Sequence, residues 1–342
     1  MSAFAPAITT VSPSMMQPEI VMQYSMASGA FELLPGGAPS ARIGSSDLVV
    51  YQKYLRATTQ AHVGQSLPGQ LPSASIVPSY DQMMTYRIST RSQYSYLDTD
   101  AASRWGYSLN SGLQLANRQG HAQQLRNMLI YGVKASNNEG IANSPNATTV
   151  NLGSDSQGND SYTTWDSGEM AKFVLGLIAD QKSRMMLLGQ ALSTVVLCPQ
   201  RFMKALEWTG VVELTSYQRP GGGTETVGTM IKNIANGASG DDVIFCQDDT
   251  LIGKGAGGTD LIIVTNPELV VPEARQELNT NIFSTLMPNQ KAVNVMFCDV
   301  AAPTEIPSPM PDGGITTLYT MRATPGWNFR SEGVTLLSAK YA

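Results

Sequence analysis

Three cysteines, two histidines and two pairs of adjacent aspartates are the residues of this 342-residue chain best suited to chemistry. A nucleophile needs a base within hydrogen-bond reach, and only His62 and His121 could supply an imidazole. His62 lies in the polar segment TTQAHVGQS, and His121 is expected on the solvent face of a long helix, so neither is assigned a catalytic role. Cys198, Cys246 and Cys298 end the short runs VVLC, VIFC and VMFC, the pattern of buried strand thiols that behave as small hydrophobes. Their odd number and wide spacing disfavour a disulfide framework. No Cys-x-x-Cys or His-x-His spacing offers a metal ligand set.

Asp241–Asp242 and Asp248–Asp249 flank VIFCQ. Acids at strand ends can hold a divalent ion or act as acid and base, although turn formation and solubility are the commoner use. Two glycine-rich stretches invite comparison with phosphate loops. GKGAGGTD at 253–260 has Lys254 too early for a P-loop, and PGGGTETVG at 220–228 lacks the G-x-G-x-x-G spacing after a strand. Both are expected to form turns or loops. NAT at 146–148 and NDS at 159–161 match the glycosylation sequon, with no sign of secretion beside them. No catalytic, cofactor-binding or metal-binding set is assigned.

The elements that would position these residues fall into blocks. Residues 1–45 are rich in Pro, Met, Ser and Gly without a sustained period, which describes an arm that cannot bury itself alone. The first basic residue is Arg42, and Pro6, Pro13 and Pro18 break the opening stretch, so no secretory leader is expected. Over 46–106, the strand-like pieces DLVVYQKYL, TYRIST and YSYLDT surround the irregular GQSLPGQLPSASIVPS, suggesting a long hairpin-like excursion. Tyr51, Lys53, Tyr54, Tyr80, Tyr86, Tyr94 and Tyr96 would lie on it, suited to meeting another protein or simply to strand propensity.

From Ser108 to Tyr131 apolar residues recur at helical spacing, with Ser108 as N-cap and Gly132 as the terminating glycine. Such a helix is a rod of roughly 36 Å. Residues 134–163 are expected to be a long loop. Asp166 and Glu169 have capping-box spacing ahead of Met170, Phe173, Val174, Leu177 and Ile178. Then STVVLC, a helix QRFMKALEW after Pro199, VVELT, a helix TVGTMIKNIA, DDVIFCQ and DLIIVTN alternate strand and helix, which predicts an α/β unit. The tail returns to strands in KAVNVMFCDV, GITTLYTMRA and GVTLLSAKY, with the Pro-rich AAPTEIPSPMPDGG as a separator.

Composition carries one anomaly. Asp, Glu, Lys and Arg make up only 14% of the chain, against roughly 25% in ordinary soluble domains. The 42% hydrophobic content suffices for a core and excludes wholesale disorder. A net charge of −5 gives no basic excess for generic nucleic-acid binding. No run approaches the roughly 18 apolar residues of a membrane span. A surface with so few charges is either unusually rich in uncharged polar groups or mostly covered by partners, whose contact cores are depleted in Lys, Glu and Asp and enriched in Met and aromatics. The chain has 17 Met and 13 Tyr.

The series of arm, excursion, long helix ending NMLIYGVKASNNEGIANSPNATT, then TTWDSGEMAKFVLGLIADQ and VVLCPQRFMKALE, resembles the major capsid proteins of tailed bacteriophages. That resemblance implies an α+β, Hong Kong 97-type capsid fold. It assigns 1–45 to an N-terminal arm, 46–106 to the extended β loop, 107–164 to the peripheral domain with its spine helix, 165–280 to the α/β axial domain and 281–342 to a return into the peripheral domain. The implied function is self-assembly into hexamers and pentamers of an icosahedral head enclosing DNA without sequence-specific binding, in a virion built in the bacterial host cytoplasm. Implied partners are copies of itself, with a portal, a separate scaffold protein and minor or decoration proteins as further ones. The Pro-rich N-terminus does not match the charged helical scaffolding segment of some relatives, and Lys53, at the loop base, does not suggest their Lys–Asn cross-link. A bacterial encapsulating compartment shares the fold and stays open as an alternative. So does a metal-dependent enzyme using Asp241, Asp242, Asp248 and Asp249, or a phage tail or adhesive component.

Overall fold

The computed structural model describes residues 29–58, 75–104, 106, 108–145, 147–185, 193–208, 227–239, 242–268, 293–311 and 313–341. The expected arm up to residue 28, His62, most of GQSLPGQLPSASIVPS, the expected strand VVELT, most of PGGGTETVG and Asp241 lie outside these residues.

Near the N-terminal side come β1 (Ala41–Arg42), β2 (Val49–Thr58), β3 (Ser75–Met84) and β4 (Tyr86–Tyr94). Two helices follow, α1 (Tyr96–Arg104) and α2 (Leu109–Tyr131). Helix α2 has the expected bounds. Ser108 accepts a hydrogen bond from the Ser111 amide at its start. At its end Gly132 takes φ 68°, and a side chain there would meet the Glu139 backbone at 2.5 Å. Helix α1 overturns the strand expected for YSYLDT. Ser95 and Asp98 form a reciprocal capping box, Asp98 accepting from the Ser95 amide at 2.9 Å and Ser95 Oγ from the Asp98 amide at 3.3 Å.

The chain continues through β5 (Thr148–Asn151), α3 (Ser167–Arg184), β6 (Ser193–Cys198), α4 (Gln200–Trp208), α5 (Val227–Ser239), β7 (Asp242–Gln247) and β8 (Asp260–Thr265). Asp166 is the N-cap of α3, yet its side chain makes no capping hydrogen bond, so the expected capping box is not formed. Beyond come β9 (Val295–Met296), β10 (Cys298–Asp299), β11 (Thr304–Pro309), β12 (Ile315–Ala323), β13 (Trp327–Asn328) and β14 (Val334–Ala339). The Pro-rich separator thus contains a strand, β11. It tolerates Pro307 and Pro309 because it is an edge strand, bonded on one side only.

Two five-stranded sheets organise the fold. The first runs β1-β10-β12-β11, with β4 antiparallel to β12 over Tyr86–Tyr94. The second runs β5-β14-β8-β6-β7. Its outer pairs are parallel and its inner pairs antiparallel. Strands β5 and β14 lie outside 165–280 and still complete the sheet of that unit. Residues 148–151, expected within a long loop, thus supply the short strand β5, and the C-terminal strand β14 lies between β5 and β8. Pairing partners are long-range, and no local pattern in TTVN or VTLLSA names them.

Both faces of the second sheet are buried. Val195, Leu197, Ile263 and Leu336 face a core shared with Leu125, Met128 and Leu129 of α2 and with Leu33, Phe297 and Met321. Val196, Cys198, Ile262, Val264 and Leu337 face Val174 and Ile178 of α3, Phe202 and Leu206 of α4 and Ile231 of α5. Two-sided burial is why TVVLC and LIIV are continuous apolar runs rather than alternating ones.

Candidate functional site

The chemistry-bearing residues do not converge. Cys198, Cys246 and Cys298 form no disulfide among the described residues and are buried in strands. Burial pushes the Cys246 thiol up to about 11 and Cys198 further still, which leaves them without the thiolate that reactivity needs. Asp242 opens β7 and Asp248 follows its end, roughly 20 Å apart along six strand residues. Asp248 accepts from the Thr250 amide at 3.0 Å and its hydroxyl at 2.6 Å, closing a turn. Asp249 accepts from the Gln200 amide at 2.7 Å, tying down the start of α4. Among the described residues no group of three His, Cys, Asp or Glu comes together. GKGAGGTD makes a turn in which Gly253, Gly257 and Gly258 have positive φ.

His121 is a correction. It is buried, at 2% exposure, with Nδ1–H donating to the Asn117 carbonyl at 2.8 Å and Nε2 without a partner. Helix α2 packs against β4 and also against α1 and the turn at Ile141–Asn143. So much of its circumference is covered that a polar sequence face is not a solvent face.

Three buried polar nodes escaped the sequence. Asp260, at 0% exposure, is paired with the Arg201 guanidinium and accepts from the Tyr162 hydroxyl at 3.1 Å, with Arg201 stacked 4.4 Å over the Tyr341 ring. Burial first, and then Asp260, push the Tyr162 hydroxyl well above the ordinary tyrosine value. Gln181 of α3 donates to the Asn266 side chain and the Gly333 carbonyl, each at 2.7 Å, and accepts from Thr335 at 2.9 Å. Asn266 in turn donates to Ser193 and Thr194, both at 2.9 Å. Glu139, beyond the end of α2, accepts from the Tyr86 hydroxyl at 2.6 Å, the Lys134 amide at 2.8 Å and the Val133 amide at 3.2 Å. Burial alone would raise its pKa. The hydrogen bonds from Tyr86, Lys134, Val133 and Asn137 outweigh burial and hold it below the usual carboxylate value. These nodes fix elements to one another, and each is closed within the fold.

What the fold leaves open is a protrusion. Strands β2 and β3 pair antiparallel over ten residues and, among the described residues, with no other strand. At the base, the opposed residues Val50 and Met83 pack on Met296, Cys298 and Trp327. Farther out, Tyr51, Val77 and Tyr80 are more than half exposed, as is Met84 at the base. Tyr51 and Tyr80 stack edge-on with centroids 5.8 Å apart. Strand β4 belongs to the first sheet, and its Tyr86 hydroxyl is engaged by Glu139. Beside the sheet end, α1 adds exposed Tyr96 and Leu97. An isolated two-stranded hairpin is marginal in water. Its outer side chains are suited to contact with another molecule.

No family model matches the chain, and no curated protein matches it. Solved structures match along nearly its whole length. The capsid of Myoviridae phage XM1 superposes with a TM-score of 0.68 at 10% identity, over 95% of this chain and 96% of that one. The capsid of cyanophage P-SCSP1u does so at 0.56 and 11% identity, over 100% of both chains. The capsid of an empty GTA particle gives 0.55 at 8% identity, over 96% of this chain and 95% of that one. Shared architecture at such low identity defines a fold class, that of α+β capsid chains. Within that class the chain has the Hong Kong 97-type fold, with α2 as the long helix and β2–β3 as the extended loop.

Proposed function

We propose that the chain is the structural subunit of a phage head, whose copies assemble into hexamers and pentamers of a closed icosahedral shell around DNA. The observation that supports it most directly is the β2–β3 hairpin, which carries exposed tyrosines and apolar side chains and is held by its own fold only at the base. In a shell such a hairpin lies over a neighbouring copy, and its apolar area is buried there. On this reading residues 1–45 form an arm, 49–84 the projecting part of the extended loop, and α2 with the first sheet the peripheral domain. The second sheet with α3, α4 and α5 forms the axial domain. The role is geometric and involves no catalytic step. A portal, a separate scaffold and minor or decoration proteins are the further partners such a shell takes. The site of action is the virion, after assembly in the host cytoplasm.

Sedimentation velocity and negative-stain microscopy of the purified full-length chain test this. Capsomers or closed particles are expected. A species that stays monomeric under every assembly condition, with a radius of gyration near the roughly 20 Å of a globule this long, would sink the proposal. Nucleic acid rather than protein cargo in particles purified from cells separates a virion head from an encapsulating compartment.

A further inference from the structure

The part of the first sheet formed by β11, β12 and β4 packs one face on α2, burying Ile88, Ser92, Tyr319 and Met321, and turns the other face outward. Strand alternation places Arg87, Arg91 and Arg322 on the outer face, beside Ser89, Gln93 and Thr320. None of the three strands contributes a carboxylate to it. Glu305, the one acid among them, points to the α2 side, where Arg118 and Gln114 meet it.

Arg87 and Arg322 are direct cross-strand partners, and like charges so placed destabilise a sheet. Their hydrogen bonds go to neutral oxygens: Arg87 donates to Thr320 Oγ1 at 2.7 Å, and Arg322 to the Asp47 carbonyl and Thr85 Oγ1, each at 3.2 Å. Arg91 stands four residues farther along β4, about 14 Å away. Among the described residues none of the three takes part in an ion pair. In a chain of net charge −5, this face thus carries three arginines with no ion-pair partner among the described residues.

We propose that this face is a contact surface for the phosphate backbone of duplex DNA, an inference that rests on the shell reading above and assigns the sheet to the DNA side of the wall. A phosphate between Arg87 and Arg322 would relieve their repulsion, and the guanidinium fork matches phosphate oxygens bidentately. Serine, threonine and glutamine side chains are the neutral donors that accompany backbone contacts. The face's apolar content is centred on one cross-strand pair, Ile306 with Leu318, and the three strands contribute to it none of the Tyr, Trp, Phe or Met that enrich protein contact cores. Three charges on a flat face reach the backbone and no base edge, so binding is sequence-independent, weak per copy and strongly salt-dependent. Repetition over a shell multiplies it by valency.

The test uses the unassembled full-length chain and fluorescence anisotropy of a labelled mixed-sequence duplex across a salt series. The expected slope of log K against log salt is about −2.7, three phosphates at about −0.9 each. The triple variant R87Q/R91Q/R322Q is expected to flatten that slope toward zero and lose at least tenfold in affinity at low salt. R87K/R91K/R322K keeps the slope, which separates charge loss from misfolding. Polyglutamate of equal charge should displace the duplex poorly. Equal displacement, an unchanged slope in the glutamine variant, or assembly lost with DNA affinity intact each assigns the face to an acidic or subunit contact and overturns the inference. A chain that binds DNA with this slope but never assembles retains the surface and removes the shell reading. One that forms shells whose glutamine variant binds DNA unchanged does the opposite.

Discussion

The second sheet and the β2–β3 hairpin are built from similar strand-forming residues and end in opposite situations. In the sheet, β8 is buried along its whole length between two cores. In the hairpin, ten paired residues are anchored by Val50 and Met83 at one end, and Tyr51 and Tyr80 stand free. Burial on both faces makes the sheet a source of stability for the single chain. The hairpin contributes little within one chain, so its side chains are free to answer to something outside it. If the hairpin meets a neighbouring copy as proposed, stability and interaction are carried by different strands, and substitutions in the two should separate cleanly.

The largest effect is expected in the sheet's helical cover. Phe202 of α4 is 1% exposed and packs edge-on against Tyr162 at 5.2 Å. Phe202→Ala should cost about 3–5 kcal/mol in denaturant unfolding of the unassembled chain, the usual range for deleting a buried phenyl ring. A loss under about 1 kcal/mol would mean that the helices do not depend on this sheet face. Next comes Asp260→Asn. Removing the charge leaves Arg201 beside a neutral amide at the sheet end, and breaking a buried pair costs about 3–5 kcal/mol. The Arg201 side chain keeps 31% exposure, so a value near about 3 kcal/mol is expected, with Arg201→Met, Asp260→Leu together recovering much of it.

The two regions also differ in how openly the sequence declares them. The apolar runs of β6 and β8 and both ends of α2 are legible because each signal is local: a continuous hydrophobic stretch, a serine before the first turn, a glycine after the last. The hairpin was legible in outline, although β3 hid its strand in SIVPSYDQMM behind a proline. Capping spacing alone does not decide whether a box closes. Asp166 and Glu169 do not close a box, and Ser95 and Asp98 do. The nodes around Asp260, Gln181 and Glu139 were invisible because their partners are brought in by tertiary pairing, as with Tyr162 and Asp260, 98 residues apart. The exposed face of Arg87, Arg91 and Arg322 has the same cause, since only the register of β4 on β12 makes them neighbours.

Glu139 provides a smaller, pH-dependent contrast at the junction between the regions, where it holds Tyr86 at the start of β4 to the end of α2. Its folded pKa is held below that of the unfolded chain. Between the two values the unfolded chain binds more protons, so stability rises with pH there. The contribution is fully present above the unfolded carboxylate value and is lost as pH falls through the folded one. Glu139→Gln should remove this part of the acid limb, a change of at most about 1.4 kcal/mol per pH unit for one proton. Parallel limbs in urea unfolding of the two chains from pH 6 to pH 3 would refute the assignment.

The smallest effect on stability is expected in the hairpin, and it sharpens the comparison most. Tyr51 and Tyr80 touch each other and are 60% and 64% exposed. Replacing both by serine removes one edge-on aromatic pair and should change unfolding of the unassembled chain by about 0.5–1 kcal/mol. If the hairpin docks on a neighbouring copy, the same change deletes two large side chains from an interface core, where a hot-spot tyrosine costs about 2 kcal/mol or more when truncated. A shell repeats that loss at every subunit, so the doubly substituted chain should remain folded and fail to form particles at concentrations where the unsubstituted chain does. Normal assembly by the folded variant would move the contact off this face. Loss of folding would show instead that the hairpin supports its own chain, and that the division of labour between the two regions is wrong.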